Sequence, residues 1–254
     1  MNGQIDLNVD MGESFGRWKL GDDAAMMPYV SSVSIACGFH AGDPSTMRET
    51  VAHAVAHGVS IGAHVSLPDL WGFGRRRMAV SPEEVRDYCT FQIGALWGFV
   101  TAAGDELRHV KPHGALYAMC SGDPALAGAV AEAMAAVTPG LPLMLLDDSV
   151  AEAVEAHGVP LVTEAFPDLD YTPEGTLVIE RIKAARDPQQ VAERTVRLVR
   201  EGVLETLDGS LLEVSAATAC IHGDGPNSVE IARAVRERLD AEGIAVAPVQ
   251  PAAA

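Results

Sequence analysis

The feature that most constrains the fold is an alternation that repeats along the chain. Short apolar runs rich in β-branched residues are each followed by a polar cluster and then by a segment with helical periodicity, which is typical of a parallel α/β fold. With 254 residues, 48% of them hydrophobic, the chain can bury one large core, so we expect a single domain over residues 1–254. Seven strands are predicted, at 5–10, 32–37, 59–64, 107–112, 142–147, 160–165 and 218–223.

Helices are predicted between these strands, at 44–57, 81–103, 124–137, 149–157, 188–200 and 227–242. The pair Ser81 and Glu84 fits a capping box at the start of the second helix. Two segments depart from the alternation of strands and helices. Residues 203–213 are predicted to form a hairpin with a tight turn at Asp208-Gly209, and residues 166–186 form a long connection without clear periodicity.

Charge and cysteine content exclude several classes of protein. A net charge of −17 repels polyanions, so we expect no nucleic-acid or anionic-membrane partner. The amino-terminal residues lack the basic and apolar regions of a signal peptide, and no stretch approaches a membrane-spanning length, so we expect a cytoplasmic protein. The four cysteines are widely separated, which predicts free thiols packed in the core; a reactive role for Cys37 or Cys220, each shortly before a histidine, remains open.

Polar residues gather at the carboxyl ends of five apolar runs, where the loops of a parallel α/β fold meet. One histidine in such a position is usually a buried packing residue, but repetition at equivalent positions favours a functional site. The remaining histidines, at 53, 57, 109 and 157, are assigned to packing or helix ends. The candidate residues at the strand ends are Asn8, Asp10, Glu13, His40, Asp43, His64, Lys111, His113, His222 and Asp224.

Lys111 and Asp10 are the two most informative of these candidates. The chain has three lysines, and Lys111 directly follows the run LRHV near the end of the strand predicted at 107–112, where a buried ammonium needs an anionic partner. That partner is a substrate carboxylate, a phosphate or a structural carboxylate such as that of Asp10. Asp6, Asn8 and Asp10 share one face of their strand because side chains alternate, and Asp10 at the strand end is the better general base.

The loops around these residues indicate how a ligand is held. Glycines in CGFHAGD and HGDGPN let the main chain approach a ligand, with Asp43 and Asn227 as helix N-caps. Residues 70–77, LWGFGRRR, are interpreted as a lid in which Arg75 faces an anion. Neither a P-loop nor a dinucleotide fingerprint occurs, so any ATP would have to be held without one.

A divalent metal is an alternative use of the same residues. Asp10, His40 and His64 could bind the ion, leaving water to act as the nucleophile. No HxH or HExxH spacing supports a particular ligand set.

Long blocks of the chain resemble the LamB/YcsF family over nearly its whole length. The resemblance implies a seven-stranded parallel β/α barrel, TIM-like and of the glycoside hydrolase/deacetylase type, in agreement with the seven predicted strands. It also implies one component of an enzyme that opens the lactam 5-oxoproline to glutamate with ATP as cosubstrate, alongside two other 5-oxoprolinase subunits. The blocks that carry it are IDLNVDMGESFG (5–16), SIACGFHAGD (34–43), IGAH (61–64), FGR (73–75), QIGAL (92–96), RHVKPHGALY (108–117) and IHGDG (221–225).

Several positions depart from the family pattern as the resemblance implies it. Val65 replaces a proline, Leu70 and Leu169 replace arginines, and Glu180 stands where the family has an arginine. Because arginine is a natural partner for a carboxylate or phosphate, these changes leave the particular lactam open, while the shared His, Asp and Lys residues favour the same type of reaction.

The predicted mechanism follows from amide chemistry. Phosphorylation of the lactam oxygen supplies a leaving group, and water then opens the ring.

Two alternatives remain: a metal-dependent amide or acetyl hydrolase acting alone, and a non-catalytic subunit that binds a ligand or regulates its partners. The predicted catalytic residues are Asp10, His40, His64, Lys111 and His222, with Lys111 holding negative charge, Asp10 or a histidine activating water and the histidines donating protons. The predicted substrate-binding residues are Asn8, Glu13, Asp43, Arg75, His113 and Asp224.

Overall fold

Seven parallel strands close into a barrel in the structure, a computed structural model that describes residues 3–178 and 184–249. The barrel strands follow the order β1-β2-β3-β4-β5-β6-β11, and β11 pairs back with β1, with Leu7 opposite Ala219. All seven predicted strands are confirmed, and each end lies within two residues of its prediction. The strands are β1 (Gln4–Met11), β2 (Ser32–Ala36), β3 (Ser60–Val65), β4 (Leu107–Pro112), β5 (Leu143–Leu145), β6 (Leu161–Ala165), β7 (Asp170–Tyr171), β8 (Leu177–Val178), β9 (Val203–Glu205), β10 (Leu211–Glu213), β11 (Thr218–His222) and β12 (Ala245–Val246).

Helices connect the strands, and the six predicted ones are present. The helices predicted at 44–57 and 124–137 begin and end at the predicted residues, and the capping box of Ser81 and Glu84 is formed. Two short helices, Asp23–Met26 and Gly114–Cys120, were not predicted. Four and seven residues are too few to show a helical period in the sequence. The helices are α1 (Asp23–Met26), α2 (Pro44–His57), α3 (Pro82–Ala102), α4 (Gly114–Cys120), α5 (Pro124–Val137), α6 (Ala151–Glu155), α7 (Pro188–Glu201) and α8 (Ser228–Ala241).

The two segments predicted to depart from the alternation, 203–213 and 166–186, agree with their predictions to different degrees. The hairpin of β9 and β10 is confirmed as antiparallel. The connection 166–186 is not featureless, because it contains the antiparallel pair β7 and β8; Glu180 lies outside the described residues. Asp43 caps α2 as predicted, and Asn227 occupies the predicted N-cap position of α8, but its side chain bonds to the main chain of Arg186 rather than to α8.

The barrel has an apolar outside under the helices and a polar inside. Alternation along β1 buries Leu7 and Val9 in the apolar core, and it directs Asp6, Asn8 and Asp10 into the barrel, as the two-residue period predicts. The four cysteines are buried free thiols, and burial raises the pKa of Cys37 to about 12. Among the helices that the structure describes, none combines the length and apolar character that a bilayer-spanning helix needs.

Candidate active site

The carboxyl ends of four barrel strands bring the main candidates to one rim. Asp10 on β1 is in register with His222 on β11, and His64 on β3 is in register with Lys111 on β4. Parallel strands in a closed barrel all end at the same rim, so residues far apart in the chain become neighbours.

Lys111 lies at the centre of this group and is 1% exposed. Its Nζ is 2.8 Å from Asp10 Oδ1, 3.0 Å from Glu164 Oε1, 3.1 Å from Asn8 Oδ1 and 3.1 Å from Cys220 Sγ. Burial alone would lower the pKa of Lys111, but the neighbouring carboxylates outweigh it and hold that pKa well above its ordinary value. Of the three partners left open by the sequence, the structure therefore provides the protein's own carboxylates.

Asp10 connects the ammonium group to the histidines. Its Oδ2 is 3.3 Å from His64 Nε2. Burial would raise the pKa of Asp10, but the charges of His64 and Lys111 hold it well below its ordinary value, so the carboxylate stays ionised. Asp10 therefore places a negative charge at the edge of a cavity.

Three imidazoles and one carboxylate form a second, contiguous cluster. His113 Nδ1 lies 2.9 Å from His64 Nε2 and 3.4 Å from Glu13 Oε1. The ring of His40 stacks on that of His113 with centroids 3.9 Å apart, and His40 Nε2 is 3.2 Å from Glu13 Oε1. Burial is the main cause that holds the pKa values of His40 and His113 well below normal, with the charges of neighbouring imidazoles adding to it. The four residues each offer one ligand atom within 4.8 Å of the others, so the cluster could hold a metal ion.

His222 is oriented by a residue that the sequence analysis missed. Asp168 Oδ2 lies 3.1 Å from His222 Nδ1 and accepts a hydrogen bond from the His222 main-chain N–H at 2.9 Å. Glu164, which holds Lys111, was missed as well. Both had a signal: Glu164 is a carboxylate inside an apolar run, and Asp168 follows the end of that run.

A cavity of about 60 Å³ lies among these groups at the rim. Arg75 closes part of it, with its Nη2 2.7 Å from Asp224 Oδ2, so the arginine faces an anion that the protein supplies. Leu169, where the resemblance implies an arginine, also lines it. The predicted residues that line it are Asp10, Glu13, His64, Arg75, Lys111, His113 and His222.

The other predicted residues lie around or outside this cavity. Asn8 lies beneath Lys111, His40 lies behind His113, and Asp224 contacts the site through Arg75. The structure does not bring Asp43 into the group, because its carboxylate caps α2 and accepts the Gly16 N–H at 2.8 Å.

A larger cleft of about 950 Å³ opens at the opposite end of the barrel. Among the described residues that line it, Asp6 is the one with an ionisable side chain. Its carboxylate accepts hydrogen bonds from Ser31, Ser32 and Thr218, so it has structural partners already. The cleft lacks the range of reactive groups found at the rim.

The fold and the rim residues define a class, the TIM-like β/α barrels that carry a polar site at the carboxyl ends of their strands. A family 4 carbohydrate esterase from Streptomyces lividans shares this fold, with a TM-score of 0.51 over 98% of this chain and 94% of that one, at 12% identity. The LamB/YcsF family model matches residues 5–254, and the chain belongs to that family.

Relatives cover almost the full chain. A protein of Bacillus mycoides (strain KBAB4) that is named as a 5-oxoprolinase subunit is 47% identical over 246 residues, covering 95% of this chain and 97% of that protein. A Pseudomonas putida protein, also named as a 5-oxoprolinase subunit, is 51% identical over 240 residues, covering 92% and 93%. The crystal structure of a lactam utilization protein from Thermus thermophilus is 46% identical, with a TM-score of 0.90 over 97% of this chain and all of that one.

Proposed function

We propose that this protein is a subunit of a multi-chain, ATP-dependent hydrolase that opens 5-oxoproline, or a related lactam, to glutamate or the corresponding amino acid. The names of the Bacillus, Pseudomonas and Thermus relatives support a lactam substrate, and the word subunit supports partner chains. Among the observations on the molecule, one carries the proposal: an ionised carboxylate, a buried ammonium and several imidazoles surround one cavity at the rim of the barrel.

The reaction needs ATP because a lactam carbonyl is a weak electrophile. Transfer of the γ-phosphoryl group to the lactam oxygen releases ADP and makes the ring carbon electrophilic. Water then adds to that carbon, the C–N bond breaks as the nitrogen takes up a proton, and an acyl phosphate remains. A second water releases phosphate and leaves the free carboxylate, so that two waters are consumed.

The residues at the rim fit separate parts of this chemistry. Asp10, kept ionised, accepts the proton of the attacking water, and His222, held by Asp168, donates a proton to the leaving nitrogen. Lys111 places a fixed positive charge beneath the cavity, where negative charge develops on oxygen. Arg75 is the arginine among the cavity-lining residues that could bind a substrate carboxylate, in exchange for Asp224.

Binding of the lactam requires the rim to open. Pockets for small molecules measure roughly 300–1,000 Å³, whereas this cavity measures about 60 Å³. Arg75 lines the cavity and forms an ion pair with Asp224, so separation of this pair is the movement that would admit a substrate.

The decisive experiment is an assay of ATP-dependent opening of 5-oxoproline and other small lactams, with and without the partner subunits. Asp10→Asn should abolish turnover while the variant keeps a folded circular-dichroism spectrum, and Asp87→Asn, an exposed carboxylate on α3, should turn over like wild type. Ring opening by the partner chains alone, at the same rate, would eliminate the proposal. Ligand binding by the chain without turnover that depends on Asp10, together with tolerance of changes at His222, would leave the non-catalytic role as the answer.

A metal-dependent amide or acetyl hydrolase acting alone is the second candidate, favoured by the cluster of Glu13, His40, His64 and His113. It predicts amide hydrolysis by the isolated chain without ATP, abolished by a chelator and restored by Zn²⁺. Insensitivity of all amide hydrolysis to the chelator would exclude it.

A further inference from the structure

We infer that Glu13, His64 and His113 bind one divalent transition-metal ion at the rim of the barrel, with His40 holding Glu13 in position. The inference holds whether or not a lactam is the substrate, and it names the ligands of the metal that the second candidate function requires. It rests on which ring nitrogens carry protons, on the angles between the rings and on the position of Lys111.

Hydrogen bonds to the main chain assign the protons of two rings. His64 Nδ1 is 2.9 Å from the carbonyl oxygen of Lys111, and His113 Nε2 is 2.8 Å from that of Phe73. A carbonyl can only accept, so these nitrogens carry protons, and in the neutral rings His64 Nε2 and His113 Nδ1 are the nitrogens that present lone pairs. Metal-binding histidines commonly have their second nitrogen held in this way.

The lone pairs of His64 and His113 and one carboxylate oxygen of Glu13 lie close to one another. His64 Nε2 and His113 Nδ1 face each other across 2.9 Å, and Glu13 Oε1 is 3.4 Å from the second of them. Asp10 Oδ2 is 3.3 Å from His64 Nε2 but does not belong to this group. A proton can bridge two acceptors, whereas a metal ion can bind His64, His113 and Glu13 together. Ligand atoms around a tetrahedral ion with bonds of about 2.0–2.1 Å are roughly 3.3 Å apart. The Glu13–His113 spacing of 3.4 Å is close to this value, and the His64–His113 spacing of 2.9 Å is shorter.

The ring angles distinguish ligands from supporting residues. The rings of His64 and His113 are at 86° to each other, which lets their lone pairs point to a common ion. The rings of His40 and His113 are parallel within 6° and 3.9 Å apart, so an ion in the plane of His113 lies out of the plane of His40. His40 instead contacts Glu13 through Nε2 at 3.2 Å, and that contact orients the carboxylate.

A second ion is not expected. Asp10, Cys220 and His222 also have the spacing of a ligand group. The ammonium group of Lys111 lies 2.8 Å from Asp10 and 3.1 Å from Cys220, so a fixed cation already occupies that position. The site therefore binds one ion per chain.

The ligand set indicates the class of metal. Two imidazoles and one carboxylate suit Zn²⁺ and its first-row neighbours, whereas Mg²⁺ and Ca²⁺ prefer all-oxygen sets. Glu13, His64 and His113 all line the cavity, so the remaining coordination position faces the space where a ligand would lie.

Metal binding by the isolated full chain tests the inference directly. After dialysis against a chelator, titration with Zn²⁺ followed by calorimetry should give one ion per chain, and Co²⁺ should produce the visible absorption of a four- or five-coordinate site. His64→Ala and His113→Ala should lose measurable binding, and His40→Ala should bind roughly 10–100-fold more weakly. His53→Ala, an exposed histidine on α2, should bind like wild type.

If a variant is unstable, the change of its melting temperature on addition of Zn²⁺ still tests metal binding. Zn²⁺ should raise the melting temperature of the wild type and of His53→Ala but not that of His113→Ala. Absence of Zn²⁺ binding by folded wild type would overturn the inference, as would unchanged affinity in both His64→Ala and His113→Ala. Neither result bears on ATP-dependent turnover, so the proposed function is tested separately.

Discussion

Replacing Lys111 by methionine should destabilise the barrel strongly, because it leaves two buried carboxylates without their cation. The ammonium lies 2.8 Å from Asp10 and 3.0 Å from Glu164, and the three side chains are between 0% and 7% exposed. Methionine keeps much of the apolar stem of lysine, so the substitution mainly removes the charge.

The magnitude follows from the distances. At an effective dielectric constant of about 20, unit charges separated by 2.8 Å attract by about 6 kcal/mol. Desolvation cancels a large part of this, and removal of one partner of a buried ion pair costs about 3–5 kcal/mol. For a chain of this size each kcal/mol corresponds to roughly 2–4 °C, so the melting temperature should fall by about 6–20 °C.

Urea unfolding followed by tryptophan fluorescence and circular dichroism measures the effect, since linear extrapolation gives the free energy of unfolding. Lys19→Met is the matched control, because Lys19 is exposed. Its free energy of unfolding should stay within about 0.5 kcal/mol of wild type.

A second substitution tests the cause of the loss. Glu164→Gln in the Lys111→Met background removes one of the two stranded charges and keeps an acceptor oxygen for the Asn8 amide, so it should restore about 1–3 kcal/mol. Wild-type stability of Lys111→Met, or a double variant less stable than Lys111→Met, would refute the reasoning.

Three further substitutions test packing and burial, two inside the barrel and one on helix α3. Gly62→Ala should cost about 1–3 kcal/mol of unfolding free energy in urea, because an added Cβ would overlap the His109 ring, and a neutral result would contradict that packing. Gly94→Ala, in α3 with no atom within 4 Å of the added Cβ, should instead stabilise by about 0.4–1 kcal/mol in the same assay. Burial raises the pKa of Asp6 above 3.8, so its ionisation costs stability as pH rises through that value. The free energy of unfolding of Asp6→Asn should therefore rise relative to that of wild type as the pH increases above 3.8; a difference that stays constant with pH would contradict this.

The secondary structure was largely predictable because its signals are local. A proline at the start and Gly58 at the end bound α2, and both of its ends were predicted correctly. The pair β7 and β8 was missed, since two-residue strands carry no detectable period.

The location of the candidate site was predictable, but the ion pairs within it were not. Residues at the ends of apolar runs were expected to converge, and the barrel brings Asp10, His64, Lys111 and His222 to one rim. Which anion neutralises Lys111 stayed open, because Glu164 comes from a strand more than fifty residues away in the chain.

Local sequence patterns were thus sufficient for the strands, the helices and the face on which each β1 side chain lies, because alternation and capping depend on neighbouring residues. Closure of the barrel determined which of these side chains contact one another. The stacking of His40 on His113 and the placement of Lys111 between Asp10 and Glu164 depend on distances across strands remote in sequence, which no local periodicity encodes.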